Sequence, residues 1–459
     1  MKVSSKFDYI IVGGGLSGLH LSYCFLNDEY FNNHSFLIID KEKSKKEENY
    51  FSFWERGIGK WDKILKKKWN KGDFFSTHGK VEMDFSEYNY KTISSSKFKE
   101  FVKGRLKKKQ NFKFTNDTVL KIREDKNNVI VVGNKKNYRA KHVFDSRLSK
   151  SVNNEIVKDT YLKQHFLGWV IKTNEKKFNK KSFVFMDYRI RDKKKTAFTY
   201  VLPFKKNEAL IEYTYFSKEE CSRQVYEGYI RDYLSKYYNI LDYKIIKSEY
   251  GIIPMTTYPF HKASSKNITK IGTAGGWVKP SSGYSFKNCE KYSLKILENI
   301  KEGKDLRIVP KIKYYFLDKI LLGVLSKYNH RGETVFYRMI KRNPTEKVLE
   351  RLPEPTGWRM LVLPYKGQGK TKGGVILTDE TMQERGYTTV TGLVLKLGPD
   401  CYTDKERFPN GPWCKVNDWI IFGRYAGSRF GIEGGEVRIL NEDEVIAVVK
   451  DPEDILQFR

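Results

Sequence analysis

The first 40 residues follow an order of apolar and glycine positions typical of a strand, a turn, a helix and a second strand. Residues 7–12 are apolar apart from Asp8, a pattern typical of a buried strand, and the glycine-rich segment 13–18 follows at once. Apolar residues then recur at helical spacing from Leu19 to Phe25, before a second apolar run over residues 35–39. The pattern predicts a βαβ unit at the beginning of the chain.

The glycines of this unit have the spacing of a dinucleotide-binding turn. Gly13 permits the tight turn beside Gly14, Gly15 lets the backbone approach a pyrophosphate, and Gly18 allows the helix to pack closely on the strand. The free N–H groups of the helix N-terminus suit phosphate oxygens, and Asp40 after the second strand can accept hydrogen bonds from ribose hydroxyls. A dinucleotide site is therefore predicted here.

Two later segments favour FAD over NAD as the dinucleotide. Residues 143–147 are a short strand ending in an acid, and residues 271–276 run from a strand into a glycine turn suited to the ribityl and pyrophosphate groups of a flavin. Many flavoproteins carry an acid where this chain has a threonine, whose hydroxyl can still bond the flavin. The candidate cofactor residues in these segments are Asp145, Gly272, Thr273, Gly275 and Gly276.

The last hundred residues have a different pattern, with short β-rich runs separated by glycine-bearing turns. These runs cover residues 360–363, 388–397, 419–422 and 445–449. Many short strands at close intervals are typical of a small barrel.

The distribution of charge divides the chain at the same place. The formal net charge is +31, yet residues 353–459 carry 14 basic and 16 acidic side chains, which leaves 72 and 39 for residues 1–352. We therefore predict two domains, 1–352 and 353–459. In the first, dinucleotide-binding parts are expected at about 6–150 and 250–300, and a substrate part at about 155–250.

Composition also limits the chemistry. The five cysteines and seven histidines show no metal-ligand spacing, so no metal site is predicted. No signal peptide pattern opens the chain, and no stretch reaches the roughly 18 apolar residues needed to cross a bilayer. Lysine runs at 66–68, 107–109 and 193–195 either are solvated faces or hold the protein on anionic lipid. No nucleic-acid motif accompanies the charge, so nucleic acid is not expected as a partner.

Seven segments of the first domain, taken together and in order, are similar to those of bacterial lycopene beta-cyclases, and the resemblance covers about residues 6–352. The segments are 51–55, 164–169, 185–189, 202–204, 210–214, 251–255 and 272–284. The resemblance implies an α/β FAD-binding Rossmann-like domain with a β-sheet substrate domain. It also implies an intramolecular lyase or isomerase that closes the linear ends of lycopene, or a related carotenoid, into beta-ionone rings without net redox change. FAD would act in its reduced form, with NAD(P)H as the reductant.

Glu212 matches the position of the family's acid, and its surroundings in the sequence suit that role. Ring closure begins with protonation of an isolated alkene, a very weak base, so the acid needs a dry pocket and a raised pKa. Glu212 lies in an apolar strand next to Ile211 and Tyr213. The alternative is a solvated residue on an edge strand.

Four further residues are candidates for the substrate site. The cation formed during ring closure is stabilised by negative charge or aromatic faces, which Trp54, Trp169 and Tyr284 could supply. Glu55 could help to place the substrate or the flavin. The alternatives are core positions for the tryptophans and a surface carboxylate for Glu55. Because the substrate dissolves in bilayers, we expect a cytoplasmic protein peripheral to the inner face of the membrane.

The second domain resembles GroES-type co-chaperonins over about residues 353–455, and a small all-β GroES-like barrel is expected. The segment Gly373, Gly374, Val375, Ile376 and Leu377 matches the family's mobile loop, which binds a chaperonin ring through its apolar tripeptide. The resemblance implies seven-membered rings, a role in protein folding linked to ATP binding, and no catalysis.

The junction leaves two interpretations open, because Leu352 is followed directly by Pro353 without a flexible linker. The chain is either a natural fusion or an artefact of gene assembly. In the main interpretation a cyclase carries a co-chaperonin module. In the alternative the chain acts as a co-chaperonin, and the cyclase part, which lacks the last helices usual in its family, is inactive.

Overall fold

The computed structural model describes most of the chain and divides it into two compact units. One unit comprises residues 1–309 and 321–348, and the other residues 310–320 and 349–459. The described residues within them are 3–41, 49–85, 88–125, 128–156, 161–310, 312–342, 355–365, 391–423, 425–432, 435–450 and 452. The domain boundary predicted at 352/353 lies outside the described residues and stays a prediction.

The first unit contains three sheets. Its strands are β1 (Val3–Val12), β2 (Phe36–Asp40), β3 (Tyr50–Arg56), β4 (Lys67–Trp69), β5 (Lys71–Ser76), β6 (Gly79–Asp84), β7 (Tyr88–Ser94), β8 (Phe112–Asn116), β9 (Val119–Asp125), β10 (Asn128–Gly133), β11 (Asn137–Asp145), β12 (Tyr161–Lys172), β13 (Phe183–Asp187), β14 (Thr196–Lys205), β15 (Glu208–Ser217), β16 (Lys244–Thr256) and β17 (Ile268–Lys270). The helices of the chain are α1 (Leu16–Leu26), α2 (Ser95–Leu106), α3 (Lys150–Ile156), α4 (Arg223–Tyr238), α5 (Phe286–Lys301), α6 (Ile312–Lys327) and α7 (Gly332–Arg342).

The nucleotide sheet confirms the βαβ unit expected at the beginning of the chain. Strands β8, β2, β1, β11 and β17 run parallel, and β10 and β9 extend the sheet antiparallel from β11. Val12 pairs with both Ile39 and Asp145, so the carboxyl ends of three strands meet at one edge. Helices α1, α2 and α5 cover one face over a core that includes Ile11 and Phe286. Ligands of open α/β sheets bind at such an edge.

A second sheet also has seven strands, but most of them are longer, and it is called the larger sheet below. Its order is β16-β12-β15-β14-β13-β5-β6, and it is antiparallel except where β13 pairs with β5. Strands β3, β7 and β4 form a small third sheet. Residues 71–84 therefore belong to the larger sheet, although the sequence analysis groups them with the dinucleotide-binding part. The physical reason is that β5 pairs with β13, and β6 with β5, so these two strands extend the larger sheet and do not join the parallel one.

The second unit is a six-stranded antiparallel sheet, in which four strands lie at the predicted apolar runs and two, over residues 428–432 and 435–441, were not predicted. Its strands are β18 (Arg359–Pro364), β19 (Thr391–Leu397), β20 (Trp419–Phe422), β21 (Ser428–Ile432), β22 (Gly435–Asn441) and β23 (Val445–Val449). The sheet order is β21-β22-β18-β19-β20-β23.

One segment between β19 and β20 contributes to the core of this second unit. Tyr402 and Phe408 are buried, and their ring centroids lie 4.9 Å apart in an edge-to-face arrangement. The Tyr402 hydroxyl donates to the carbonyl oxygen of Glu442 (3.0 Å). Residues 402–413 therefore pack inward through two aromatic side chains.

Candidate active site

The turn between β1 and α1 has the geometry that a dinucleotide requires. Gly13 has a φ of 104°, which side chains rarely adopt, and a Cβ atom on Gly18 would lie 2.0 Å from the Gly13 carbonyl oxygen. Gly15, in contrast, faces open space, because a Cβ atom there would meet nothing within 4 Å. Helix α1 starts after Gly15 without a side-chain cap, so its first N–H groups are available to an anion.

Asp40 lies where the sequence analysis expects the ribose. It ends β2 beside the turn, and a Cβ atom on Gly14 would be 2.8 Å from its Oδ2 atom. The side chain is half-buried, and Lys99 Nζ lies 3.5 Å from Oδ2. The carboxylate therefore retains acceptor capacity for a hydroxyl group.

The second glycine segment approaches the same helix N-terminus. A 3₁₀ turn (Gly272–Gly275) places Gly272, with a φ of 61°, so that a Cβ atom would lie 2.5 Å from Ser17 Oγ. Thr273 is half-buried in this turn, and the Gly276 N–H closes it by donating to the Thr273 carbonyl. The two glycine turns thus form one cradle, with the shape expected for a flavin dinucleotide.

Asp145 has a different environment from the other candidate cofactor residues. It is 1% exposed and accepts from Arg147 Nε (2.9 Å) and Lys270 Nζ (2.8 Å). Burial alone would raise the pKa of Asp145, but the two cations outweigh burial and lower it. Its acceptor capacity is used within the chain, so the structure shows an ion-paired strand end rather than an open ligand.

A row of four residues crosses the larger sheet at the candidate acid. Glu212 on β15 lies opposite Tyr200 on β14 and opposite Gly168 on β12, and Gly168 in turn lies opposite Glu249 on β16. Residues directly opposite each other in antiparallel strands project to the same face. The sheet therefore holds two carboxyl groups on either side of a position without a side chain.

Burial sets the protonation of Glu212. It raises the pKa of Glu212 to about 7, partly opposed by the Thr214 hydroxyl, which donates to Oε1 at 2.6 Å. Glu212 nevertheless remains partly accessible. The space that this accessible part of Glu212 faces is called the hollow below.

Aromatic hydroxyl groups form the wall beside this acid. The Tyr90 hydroxyl lies 2.6 Å from the Tyr200 hydroxyl and 2.9 Å from that of Tyr284, and burial raises the pKa of all three phenols. The Trp54 ring lies 4.5 Å from that of Tyr90. Two of the candidate substrate residues, Trp54 and Tyr284, are thus brought to the acid.

Glu55 is not brought to the acid, because successive residues of a strand face opposite sides. Trp54 faces the hollow, and Glu55 faces a network behind it, where it accepts from Lys91 Nζ (3.0 Å) and Lys287 Nζ (2.7 Å). Lys91 is fully buried and also donates to Asp62. The structure places Glu55 in an ion network, on the side of β3 opposite to Trp54.

Trp169 also lies away from Glu212. It pairs with Ile211 and follows Gly168, so it occupies the opposite face of the sheet, where it packs in the core beneath α4. It is 3% exposed, and Arg231 lies over its ring at 5.5 Å. The structure therefore gives Trp169 a core position.

Glu249 is the residue of this site that the sequence analysis misses. It is 7% exposed and accepts from the backbone N–H of Tyr50 (3.2 Å). Burial, reinforced by the charge of Glu212, raises the pKa of Glu249 well above its ordinary value. The sequence contains one signal for it: Glu249 lies two residues before Gly251, in segment 251–255, and that segment resembles the lycopene beta-cyclases. Its position opposite Gly168 depends on strand pairing.

Three further expectations concern the chaperonin-binding segment, a metal site and a membrane-spanning helix. The mobile-loop residues 373–377 lie outside the described residues. Within the described ranges, no three His, Cys, Asp or Glu side chains are grouped to hold a metal ion. In the same ranges, no helix combines the length and apolar composition needed to cross a membrane.

Comparisons with known proteins agree with this architecture. The model of the family described as "Lycopene cyclase protein" matches residues 8–342, and that of the "Chaperonin 10 Kd subunit" matches residues 353–449. The co-chaperonin GroES of Clostridium beijerinckii is 31% identical over 97 residues, which are 21% of this chain and 97% of that protein. Neither comparison bears on ATP binding, which stays a prediction.

A solved structure supports the fold of the first unit. The geranylgeranyl bacteriochlorophyll reductase-like protein of Thermoplasma acidophilum aligns with a TM-score of 0.50 at 12% identity, over 75% of this chain and 90% of that chain. The fold expected from the sequence is thereby confirmed: a Rossmann-like α/β domain of the FAD-binding type with a β-sheet domain, followed by a small all-β GroES-like domain.

Gly15→Glu should weaken dinucleotide binding without unfolding the protein. The new side chain meets open space in the protein, but its carboxylate would face the phosphates, and a like charge at about 4 Å costs on the order of 4 kcal/mol at an effective dielectric constant of about 20. We expect binding of added FAD, measured by flavin fluorescence, to weaken by at least about tenfold. The matched control is Gly104→Glu on α2, where a Cβ atom also meets nothing. Equal FAD binding in both variants would contradict the assignment.

Lys91→Ala should destabilise the protein strongly, because it leaves the carboxylates of Glu55 and Asp62 without their buried cation. Removing one partner of a buried ion pair costs about 3–5 kcal/mol, and we expect a clear fall in the urea midpoint. The control is Lys295→Ala, whose exposed pair with Glu298 contributes about 0–1 kcal/mol. Similar midpoints for the two variants would show that the network is not structural.

Proposed function

This chain belongs to the lycopene cyclase protein family, with a co-chaperonin of the chaperonin 10 kDa family as its second part, and on that premise we propose that the first unit is an FAD-dependent enzyme. In this proposal it closes the linear ends of lycopene or a related carotenoid into beta-ionone rings, as an intramolecular lyase or isomerase. The observation that carries the proposal is Glu212, a carboxyl group buried beside aromatic side chains with its pKa raised to about 7.

Glu212 is the proton donor of the proposed reaction. Its O–H bond breaks as a C–H bond forms at the terminal alkene, which leaves a cation on the neighbouring carbon. The cation closes the ring, and loss of one proton from the ring forms the new double bond, so that the product is an isomer of the substrate. A raised pKa keeps the donor protonated near neutral pH, where a general acid must hold its proton.

The aromatic wall stabilises the cation and excludes water. Trp54 and Tyr284 present π-electron density, which attracts a positive charge. The hydroxyl groups of Tyr90, Tyr200 and Tyr284 bond one another, so they are satisfied without drawing in solvent. A dry site protects the cation from capture by water and strengthens each electrostatic contact.

The cradle formed by Gly13, Gly15, Asp40 and Gly272 would hold FAD, with the phosphates at the N-terminus of α1. When bound, reduced FAD would supply negative charge, which stabilises a cation. NAD(P)H is the proposed reductant, and lycopene, which dissolves in bilayers, makes a peripheral membrane location part of the proposal.

The second unit is a co-chaperonin domain, for which we propose binding to a chaperonin ring and assembly into heptamers. The match to a GroES protein over 97% of that protein's length supports this role. Apolar burial of residues 375–377 in the ring would supply the affinity.

Glu212→Gln should abolish cyclisation and leave bound FAD in place, because the amide has nearly the same shape but no transferable acid proton. Activity of the natural sequence should fall as pH rises from about 7 upward, since the reactive form of Glu212 is protonated. Both are measured as ring formation from lycopene in liposomes. Glu208→Gln, on the same strand but ion-paired with Lys66, is the control and should remain active. An active Glu212→Gln variant would refute the acid role.

Ile376→Asp should prevent chaperonin binding without altering cyclisation. The charged side chain cannot enter an apolar groove without a desolvation cost of several kcal/mol. Retention of the protein on an immobilised chaperonin ring with nucleotide measures binding, and Thr378→Asp provides a control of equal charge outside the apolar tripeptide. Unchanged retention of the Ile376 variant would exclude this segment as the contact.

A further inference from the structure

Glu249 is a buried carboxyl group to which the mechanism above gives no task. It lies on β16, the edge strand of the larger sheet, and its hydrogen-bond partner is the Tyr50 backbone N–H at 3.2 Å. That bond uses one oxygen of the carboxyl group, Oε2. The other oxygen, Oε1, is directed toward Gly168, because a Cβ atom there would lie 3.1 Å from it.

Because Gly168 has no side chain, the side chain of Glu249 can occupy the space above it, between the two carboxyl-bearing strands. Gly168 lies between Glu212 and Glu249 in the register, so their Cα atoms are separated by two interstrand spacings of about 4.8 Å each. A Cβ atom on Gly168 would also lie 3.1 Å from Glu249 Cγ and 3.0 Å from Leu210 Cδ1. The Glu249 side chain therefore extends over Gly168 toward β15, the strand that carries Glu212.

No cation compensates this pair in the described part of the chain. The groups that act on the two carboxyls are the charge of Glu212 on Glu249, the Thr214 hydroxyl on Glu212 and the Tyr50 N–H on Glu249. The other titratable groups that face them are the phenols of Tyr50, Tyr200 and Tyr284, and burial raises the pKa of each of these, so they stay neutral. Two uncompensated carboxylates in one dry site repel each other, and such a pair retains one proton.

We propose, as an extension of the cyclase function above, that Glu249 is a positioning residue that shares one proton with Glu212 across the Gly168 gap and so keeps Glu212 supplied with its acid proton. When Glu212 gives its proton to the alkene, its O–H bond breaks and neither carboxyl of the pair holds a proton. The ring then loses a proton as its C–H bond breaks, and this proton returns to the pair and restores the Glu212 O–H bond. The pair begins and ends the cycle with the same number of protons.

Infrared titration of carboxyl groups tests the pair without using cyclase activity. In the purified full chain, the absorbance of protonated carboxyl groups is followed against pH for the natural sequence, Glu212→Gln and Glu249→Gln. We expect the last proton of the pair to leave the natural protein at least about one pH unit higher than the single remaining proton leaves either variant. Glu82→Gln, exposed on β6, should leave the titration unchanged.

The activity profile tests the consequence for Glu212. Glu249→Gln keeps an oxygen to accept from Tyr50 N–H, so the fold contact survives while the shared proton is lost. We expect its activity to persist at acidic pH and the alkaline fall to begin about one pH unit lower than in the natural protein. Glu249→Asp, which keeps a carboxyl group, should restore part of the alkaline range.

The outcomes separate this proposal from the proposed function. Unchanged titration midpoints, or an equal loss of activity at every pH in Glu249→Gln, overturn the shared proton even where the natural protein is active. A coupled titration in a protein that forms no rings supports the pair and refutes the cyclase assignment. Should Glu249→Gln not fold, the Glu212→Gln titration decides alone, because Glu249 must then lose its proton at lower pH.

Discussion

A carboxyl group kept in the interior without a cation is the constraint on which the active site depends. Ionisation there is unfavourable because the protein replaces water with a medium that solvates charge poorly. Glu212 and Glu249 satisfy this condition together, on either side of Gly168 in the larger sheet. Tyr200 of the aromatic wall belongs to the same sheet, and Trp54 and Tyr90 belong to the small third sheet, so the two sheets together provide the acid and its aromatic surroundings.

Two other carboxylates of the first unit, Asp145 and Glu55, show the opposite arrangement. Asp145 contacts Arg147 and Lys270, and Glu55 contacts Lys91 and Lys287. These two carboxylates have cations at hydrogen-bond distance, and their ion pairs have a structural role. The ion pairs distinguish Asp145 and Glu55 from Glu212 and Glu249.

The parts of this protein that sequence could predict are those in which neighbours along the chain determine the outcome. The glycine turn at 13–18 and the apolar strand around Glu212 are of this kind, and the structure has both. The role of Glu55 depends on which face of β3 it occupies, and that of Trp169 on which face α4 covers. Glu249 lies 37 residues after Glu212, and its approach depends on the register of three strands, which no local pattern specifies.

Strands β3 and β7 serve two environments at once, because alternate residues face opposite sides. Trp54 and Tyr90 line the hollow, while Glu55 and Lys91, the next residue of each strand, belong to the ion network behind it. The position of the aromatic wall therefore depends on the ion network that Glu55 and Lys91 form on the other side of these strands. Substitutions of Glu55 or Lys91 would weaken catalysis by letting the wall move, and they would resemble changes in substrate contacts while touching no substrate. The two causes differ in temperature dependence, because an aromatic wall without its supporting ion network loses its structure at a lower temperature than an intact one.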